Sequence, residues 1–156
     1  MKAKVVLFSK TGNTRGIGKD LKKRLERAGH DVTLEEVTAD GDPQKMGENI
    51  KFKNRPGVDE YDTILFGSPV WGFSLPPIMK QYLEGIESLK GKKIGVFSTK
   101  KLSFHWTGGN RTNSRMERRC RDKGGEVLDK AVIVYKKLGP EKDADEILDR
   151  FVSSFT

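Results

Sequence analysis

The sequence predicts an α/β fold in which a doubly wound, five-stranded parallel sheet in the order 2-1-3-4-5 carries helices on both faces. The first observation is that strand-like and helix-like segments alternate along the 156 residues, a pattern that produces parallel sheets covered by helices. The second is that the first strand contains an uninterrupted apolar run, Val5-Val6-Leu7-Phe8, as expected of a strand buried on both faces. The length suits a single domain, residues 1–156.

The predicted strands are short apolar or alternating segments bounded by turn residues. They are residues 4–8, 31–37, 63–67, 93–97 and 130–135. In the second of them Val32 and Leu34 alternate with polar residues, which suits a strand at the edge of the sheet. Between the second and third strands the periodicity weakens.

The predicted helices are identified by apolar residues at helical spacing. They are residues 13–28, 43–50, 76–86, 111–124 and a last helix from about residue 140. Ile17, Leu21 and Leu25 form the apolar stripe of the first helix, and Leu148 and Phe151 lie on that of the last. The short helix at residues 43–50 has the weakest pattern.

The loop after the first strand has the chemistry of a phosphate-binding turn. It reads Ser9-Lys10-Thr11-Gly12-Asn13-Thr14 and leads into a helix. A helix start offers unpaired N–H groups and a partial positive charge, while Ser and Thr hydroxyls add donors. Gly12 lets the backbone approach a ligand closely. The loop is neither a Walker A sequence nor a dinucleotide fingerprint, and an ordinary capped helix start is the alternative interpretation.

This hexapeptide resembles the phosphate loop of the flavodoxins, S/T-x-T-G-N-T, and matches it at every specified position. The resemblance implies that Ser9, Lys10, Thr11, Gly12, Asn13 and Thr14 contact the 5′-phosphate of FMN. It also implies a short-chain member of that family, because no long insertion divides the predicted fifth strand. In the predicted strand order, the loops after strands 1, 3 and 4 converge on one ligand site.

The loops after the third and fourth strands supply the other expected FMN contacts. In flavodoxins the first of these loops presents an aromatic residue followed by glycine, so the resemblance implies that Trp71 stacks on the flavin ring beside Gly72. A partly buried lid over the core is the alternative role for Trp71. The expected contacts in the two loops are Ser68, Pro69, Val70, Trp71, Gly72, Phe73, Ser98, Thr99, Trp106, Gly108 and Gly109. Either Phe104 or Trp106 is expected to cover the second ring face.

The charge of the chain is the main departure from the acidic flavodoxin carriers. Lys and Arg number 30 against 22 Asp and Glu, which gives a net charge of +8. Six cations lie in the predicted helix at residues 111–124: Arg111, Arg115, Arg118, Arg119, Arg121 and Lys123. This segment has three interpretations: a solvated helix face, a docking patch for the acidic surface of a redox partner protein, or a nucleic-acid contact. No nucleic-acid recognition motif accompanies it, so no DNA or RNA partner is expected.

Composition limits the remaining possibilities. No apolar run is long enough to span a membrane, and no signal-peptide pattern is present. The one cysteine, Cys120, excludes an intramolecular disulfide, so a cytoplasmic location is expected. Cys120 lies between two arginines, which would favour a thiolate if it were exposed, whereas burial as a small apolar residue is the alternative. No catalytic triad, paired catalytic carboxylates or metal cluster can be recognised, so no catalytic or metal-ligating residue is predicted.

The sequence therefore predicts an FMN-binding electron-transfer protein that shuttles electrons between redox partners, in which the flavin carries the redox chemistry. An FMN-dependent oxidoreductase that reduces quinone-type acceptors with NAD(P)H is the first alternative. A flavin-free binding module that uses its basic face is the second.

Overall fold

The structure of the protein is a computed structural model that describes residues 2–101, 108–136, 139–140 and 143–156. The strands within these residues are β1 Lys2–Leu7, β2 Asp31–Glu36, β3 Thr38–Ala39, β4 Phe52–Asn54, β5 Thr63–Pro69, β6 Lys93–Lys100, β7 Glu126–Lys136 and β8 Gly139–Pro140. The helices are α1 Asn13–Arg27, α2 Pro77–Glu84, α3 Gly109–Asp122 and α4 Ala144–Ser153.

The main sheet has the predicted topology. Its strands lie in the order β2-β1-β5-β6-β7-β8, and all neighbouring pairs are parallel except β7 with β8. The five parallel strands correspond to the predicted strands in the order 2-1-3-4-5, so this prediction is confirmed. The register pairs Leu7 with Gly67 and Gly67 with Phe97, which brings the carboxyl ends of β1, β5 and β6 to the same edge.

The sheet separates two hydrophobic clusters, as a doubly wound fold requires. The cluster on one face joins the strands to α2 and α3 and includes Val6, Phe66, Met79 and Met116. The cluster on the other face joins them to α1 and α4 and includes Leu7, Leu21, Phe97 and Phe151. The prediction that helices cover both faces is therefore confirmed.

The largest differences from the predicted element boundaries are in three segments. Residues 43–50 contain only a three-residue 3-10 helix, Pro43–Lys45, and this segment is enclosed by β3 and β4, which pair as a separate two-stranded sheet. Strand β7 begins at Glu126 instead of residue 130, because its first half has only β6 as a paired neighbour and can expose charged residues at the sheet edge. Helix α4 begins at Ala144, later than expected.

A buried lysine of β1 binds both β2 and the segment that follows β4. Lys4 is only 4% exposed, although it lies in a strand with both neighbours paired. Its Nζ atom lies 2.6 Å from a carboxylate oxygen of Glu35 and donates to the carbonyl oxygen of Gly57 at 2.8 Å. Burial opposes ionisation of Glu35, but hydrogen bonds from Lys4 and Asn54 outweigh it and lower the pKa of that carboxyl. The charge of Lys4 is therefore paired, which is the condition for burying it.

Candidate functional site

The carboxyl ends of β1, β5 and β6 surround a cavity of about 600 Å³. It is lined by Lys10, Thr11, Asn13, Thr14, Gln44, Pro69, Val70, Trp71, Gly72, Phe73, Thr99, Lys100 and Lys101. This is the switch point of the sheet, where β1 and β5 are adjacent and the chain continues to opposite sides. The volume lies in the range of small-molecule and cofactor sites.

The turn before α1 presents backbone donors at one end of the cavity. Gly12 caps the helix with a φ of 96°, a left-handed conformation that glycine adopts without steric cost. The hydroxyl oxygen of Ser9 accepts hydrogen bonds from the N–H groups of Gly12 and Arg15, at 3.2 and 3.3 Å. Ser9 therefore braces the turn. Asn13 and Thr14 lie in the first helical turn, where N–H groups have no acceptor within the helix and can receive an anion.

A buried hydroxyl pair joins this turn to the end of β6. The Oγ1 atoms of Thr14 and Thr99 lie 2.8 Å apart, and the two residues are 1% and 4% exposed. Each hydroxyl therefore satisfies the other away from solvent. The pair sets the distance between the first and third loops of the site.

The loop after β5 ends in a tight turn that carries an exposed aromatic side chain. Trp71 and Ser74 exchange two backbone hydrogen bonds, at 2.8 and 2.9 Å, around Gly72 and Phe73. Both central residues have positive φ, 53° and 64°, as in a type I′ turn. This conformation costs a non-glycine residue such as Phe73 about 1–2 kcal/mol. Phe73 is nevertheless 49% exposed at the cavity edge.

The turn rests against the start of α3. Gly108 has a φ of 99°, and a Cβ atom at this position would lie 2.1 Å from the carbonyl oxygen of Phe73. Only glycine permits this approach without movement of one backbone segment. The second loop and the start of α3 are therefore in direct contact.

Trp71 forms one wall of the cavity. Its ring meets Phe8 edge to face, with ring centres 5.3 Å apart and planes 83° apart. The ammonium group of Lys10 lies 5.6 Å from the centre of the Trp71 ring and contacts the side-chain oxygen of Gln44. Lys10 thereby connects the turn before α1 to the segment between β3 and β4. The contacts with Phe8 and Lys10 restrict the orientation of the indole, which suits a rigid platform.

The cavity wall is electropositive. Lys10, Lys100 and Lys101 line it, and no Asp or Glu is among its described lining residues. The nearest ion pair there joins Lys10 and Asp42 at 3.7 Å. An anionic ligand would therefore be attracted to this cavity.

The structure brings most, but not all, of the predicted contact residues to the cavity wall. Ser9 and Gly12 shape the first turn from behind it. Ser68 and Ser98 are fully buried and donate to the carbonyl oxygens of Pro69 and Gly109. Gly108 packs closely against the backbone of Phe73, and Gly109 packs closely against the side chain of Val132. Phe104 and Trp106 lie outside the described residues.

Gln44 is a lining residue that the sequence analysis missed. It belongs to the 3-10 helix between β3 and β4 and reaches the cavity only because those strands fold back toward β1. No local pattern in the sequence indicates that position.

The cations of α3 fall into two groups. Arg119 donates to Glu84 at 3.3 Å, and Arg121 donates to Glu117 at 2.7 Å, while Glu117 also accepts from Lys130 at 2.8 Å. Hydrogen bonds from Lys130 and Arg121 lower the pKa of the Glu117 carboxyl, against its partial burial.

The second group comprises Arg111, Arg115 and Arg118, which are exposed and form no ion pair with any residue that the structure describes.

The cysteine of the same helix, Cys120, is fully buried, and burial raises the pKa of its thiol to about 12. The interpretation of Cys120 as a small apolar core residue therefore fits the structure.

Comparisons with known proteins agree with the fold. A family model described as "Flavodoxin-like fold" matches residues 1–116. A flavodoxin from Megasphaera elsdenii is 26% identical over 134 residues, which cover 83% of this chain and 83% of that protein. None of the described helices combines the length and apolarity needed to cross a membrane.

Two solved structures illustrate the similarity in three dimensions. The Streptococcus pneumonia TIGR4 flavodoxin superposes with a TM-score of 0.72 at 23% identity, covering 99% of this chain and 97% of that chain. Flavodoxin 2 from Bacillus cereus superposes with a TM-score of 0.68 at 25% identity, with coverage of 99% and 97%. Because the family model spans most of the sequence and the sheet has the matching topology, the chain belongs to the flavodoxin-like family.

Proposed function

We propose that the chain binds FMN and carries electrons between redox partner proteins. The observation that carries this proposal is the opening of the Ser9–Thr14 turn, at the start of α1, into a cavity with Trp71 on its wall. A phosphate suits the helix start, and a flat aromatic ring suits the tryptophan. Membership of the flavodoxin-like family supports the same cofactor.

The chemistry of the described lining residues supports FMN as the ligand. The N–H groups of Asn13 and Thr14 and the exposed hydroxyl of Thr11 would hold the phosphate, and Lys10 would add charge. The aromatic ring system would lie between Trp71 and the third loop, where Thr99 lines the wall. When bound, FMN supplies one- and two-electron redox chemistry, and the chain supplies orientation and electrostatics.

The partner and location are proposed on electrostatic and chemical grounds. A net charge of +8 and a lysine-lined cavity favour redox partners that present an acidic surface. A cytoplasmic location is proposed because the single cysteine is a free, buried thiol that needs no oxidising compartment.

The test compares FMN with riboflavin, which has the same ring system but no phosphate. Flavin fluorescence quenching should give a dissociation constant for FMN well below that for riboflavin. Thr11→Val should weaken FMN binding about tenfold or more, the loss of one hydrogen bond to a charged group, and leave riboflavin binding unchanged. Thr33→Val, which removes an exposed hydroxyl on β2 away from the cavity, is the matched control.

Each part of the proposal can be refuted by a different result. A colourless protein after mixing with FMN and desalting would refute FMN binding. Equal affinities for FMN and riboflavin would refute the phosphate assignment. Rapid anaerobic bleaching by NADPH alone would assign the chain to the FMN-dependent oxidoreductases instead, whereas a carrier needs a partner reductase.

A further inference from the structure

We propose that Arg111, Arg115 and Arg118 form the docking surface for an acidic redox protein, which we call the arginine stripe. The inference rests on the proposed function, because a redox partner must approach the cavity that would hold the flavin. It goes further in assigning the contact to three named side chains and excluding the other cations of α3.

The geometry of α3 places these three arginines on one line. Their spacing of four and three residues puts them on the same face of the helix. At about 1.5 Å of rise per residue, the stripe is about 10 Å long. All three side chains are exposed, and none forms an ion pair with a described residue. Three uncompensated charges therefore act together on an approaching surface.

The other cations of α3 are already neutralised within the fold. Arg119 is paired with Glu84 of α2, and Arg121 is paired with Glu117. The line of the stripe then meets an exposed carboxylate, Asp122, at the end of the helix. The stripe is thus bounded on the side away from the cavity.

The other end of the stripe begins three residues after Gly108, which lies against the cavity edge. Helix α3 starts next to Gly108, which contacts the backbone of the exposed Phe73. Lys100 and Lys101 line the cavity in the same region, and no described acidic residue lines it. An exposed aromatic side chain flanked by arginines and lysines matches the apolar centre and charged rim of protein interfaces.

This arrangement favours a protein over a nucleic acid. Proteins that bind a nucleic-acid backbone use more cations than these three, but the two neighbouring arginines of α3, Arg119 and Arg121, are bound to Glu84 and Glu117. Phe73 at the cavity edge also supplies an apolar contact that a phosphate backbone does not use. An acidic protein surface satisfies both the cations and the aromatic ring.

The experiment compares two triple variants with the same loss of charge. Arg111→Gln/Arg115→Gln/Arg118→Gln removes the stripe, and Lys19→Gln/Lys23→Gln/Arg27→Gln removes three exposed cations from α1 on the opposite face of the sheet. The probe is an acidic plant-type [2Fe–2S] ferredoxin. Its binding is measured by calorimetry at low and moderate NaCl concentration, with and without added FMN. FMN affinity is measured for both variants.

We expect the stripe variant to bind ferredoxin about tenfold more weakly at low salt, and its affinity to lose most of its dependence on salt. The α1 variant should lose less than about threefold in ferredoxin affinity. FMN affinity should be unchanged in both. Equal losses in the two variants would reduce the effect to net charge and overturn the proposal, as would no loss in the stripe variant. Tighter binding of a short DNA duplex, abolished by the stripe substitutions, would overturn it in favour of a nucleic-acid surface.

The two proposals fail separately in this design. If the chain does not retain FMN, the proposed function is refuted, yet the comparison of ferredoxin binding by the two variants still decides the docking surface. If FMN binds and both variants bind ferredoxin like the unmodified chain, only the docking surface is refuted.

Discussion

Replacing either member of the buried Thr14–Thr99 pair by valine should destabilise the fold, and replacing both should restore most of the loss. Valine matches threonine in shape, so each single variant mainly leaves the partner hydroxyl unsatisfied. Because the two residues are only 1% and 4% exposed and their oxygens lie 2.8 Å apart, that hydroxyl has little access to water. An unsatisfied buried group costs about 1–3 kcal/mol, whereas removal of both partners is nearly neutral.

The assay is a double-mutant cycle on the FMN-free chain. Urea unfolding of the four proteins, followed by circular dichroism, gives their free energies of unfolding. We expect Thr14→Val and Thr99→Val each to lower it by about 1–3 kcal/mol, and the double variant to lie within about 1 kcal/mol of the unmodified chain. For a chain of this length, 1 kcal/mol corresponds to a change of about 2–4 °C in Tm.

Additive losses would refute the reasoning. If the double variant lost the sum of the two single losses, the hydroxyls would not satisfy each other, and the link between the first and third loops would be absent. Losses below about 0.5 kcal/mol in both single variants would mean that water reaches the pair. The structural role of Thr14 is also the reason for testing phosphate binding with Thr11 alone, which is exposed.

Two further predictions concern backbone contact and pH. Gly108→Ala should lower the free energy of unfolding and the FMN affinity more than Gly29→Ala, as measured by urea unfolding and flavin titration. Both residues have φ near +95°, but only a Cβ atom at residue 108 would press against the backbone of Phe73. Equal losses in the two variants would mean that only the positive φ matters. The lowered pKa of Glu35 stabilises the fold above the ordinary carboxyl pKa of about 4.3, and that stability is lost as the pH falls through the folded pKa. Glu35→Gln should therefore flatten the acid side of a Tm–pH profile, and an unchanged slope would exclude the Lys4 pair as its cause.

The strand order could be predicted because its signals are local. Each of the five parallel strands has its own apolar run or alternating pattern, and right-handed crossovers leave few ways to arrange them. The pairing of β3 with β4 could not be predicted, because strands of two and three residues have no measurable periodicity. The small sheet is joined to β2 by contacts between residues distant in the sequence, such as Asn54 with Glu35. Gln44 likewise lies at the cavity because of contacts between residues that are distant in the sequence.

The candidate site was also only partly predictable from the sequence. The Ser9–Thr14 turn was identifiable because hydroxyl, glycine and helix start are adjacent in the sequence. Ser98 and Thr99 were both expected contacts, but successive side chains of a strand point to opposite faces, so Ser98 is fully buried while Thr99 lines the cavity. Which of the two faces the site depends on how β6 is packed, and that requires the neighbouring elements.

The charges of the site and of α3 have different consequences once a flavin phosphate is present. The cavity is lined by three lysines, Lys10, Lys100 and Lys101, and a bound phosphate of about −1.5 to −2 would offset roughly half or more of their charge. The arginine stripe has no such compensating group among the described residues. The field that a partner meets on the loaded protein should therefore come mainly from the stripe. It follows that FMN loading should leave the effect of the stripe substitutions on partner binding largely intact, whereas docking centred on the cavity lysines would weaken with loading.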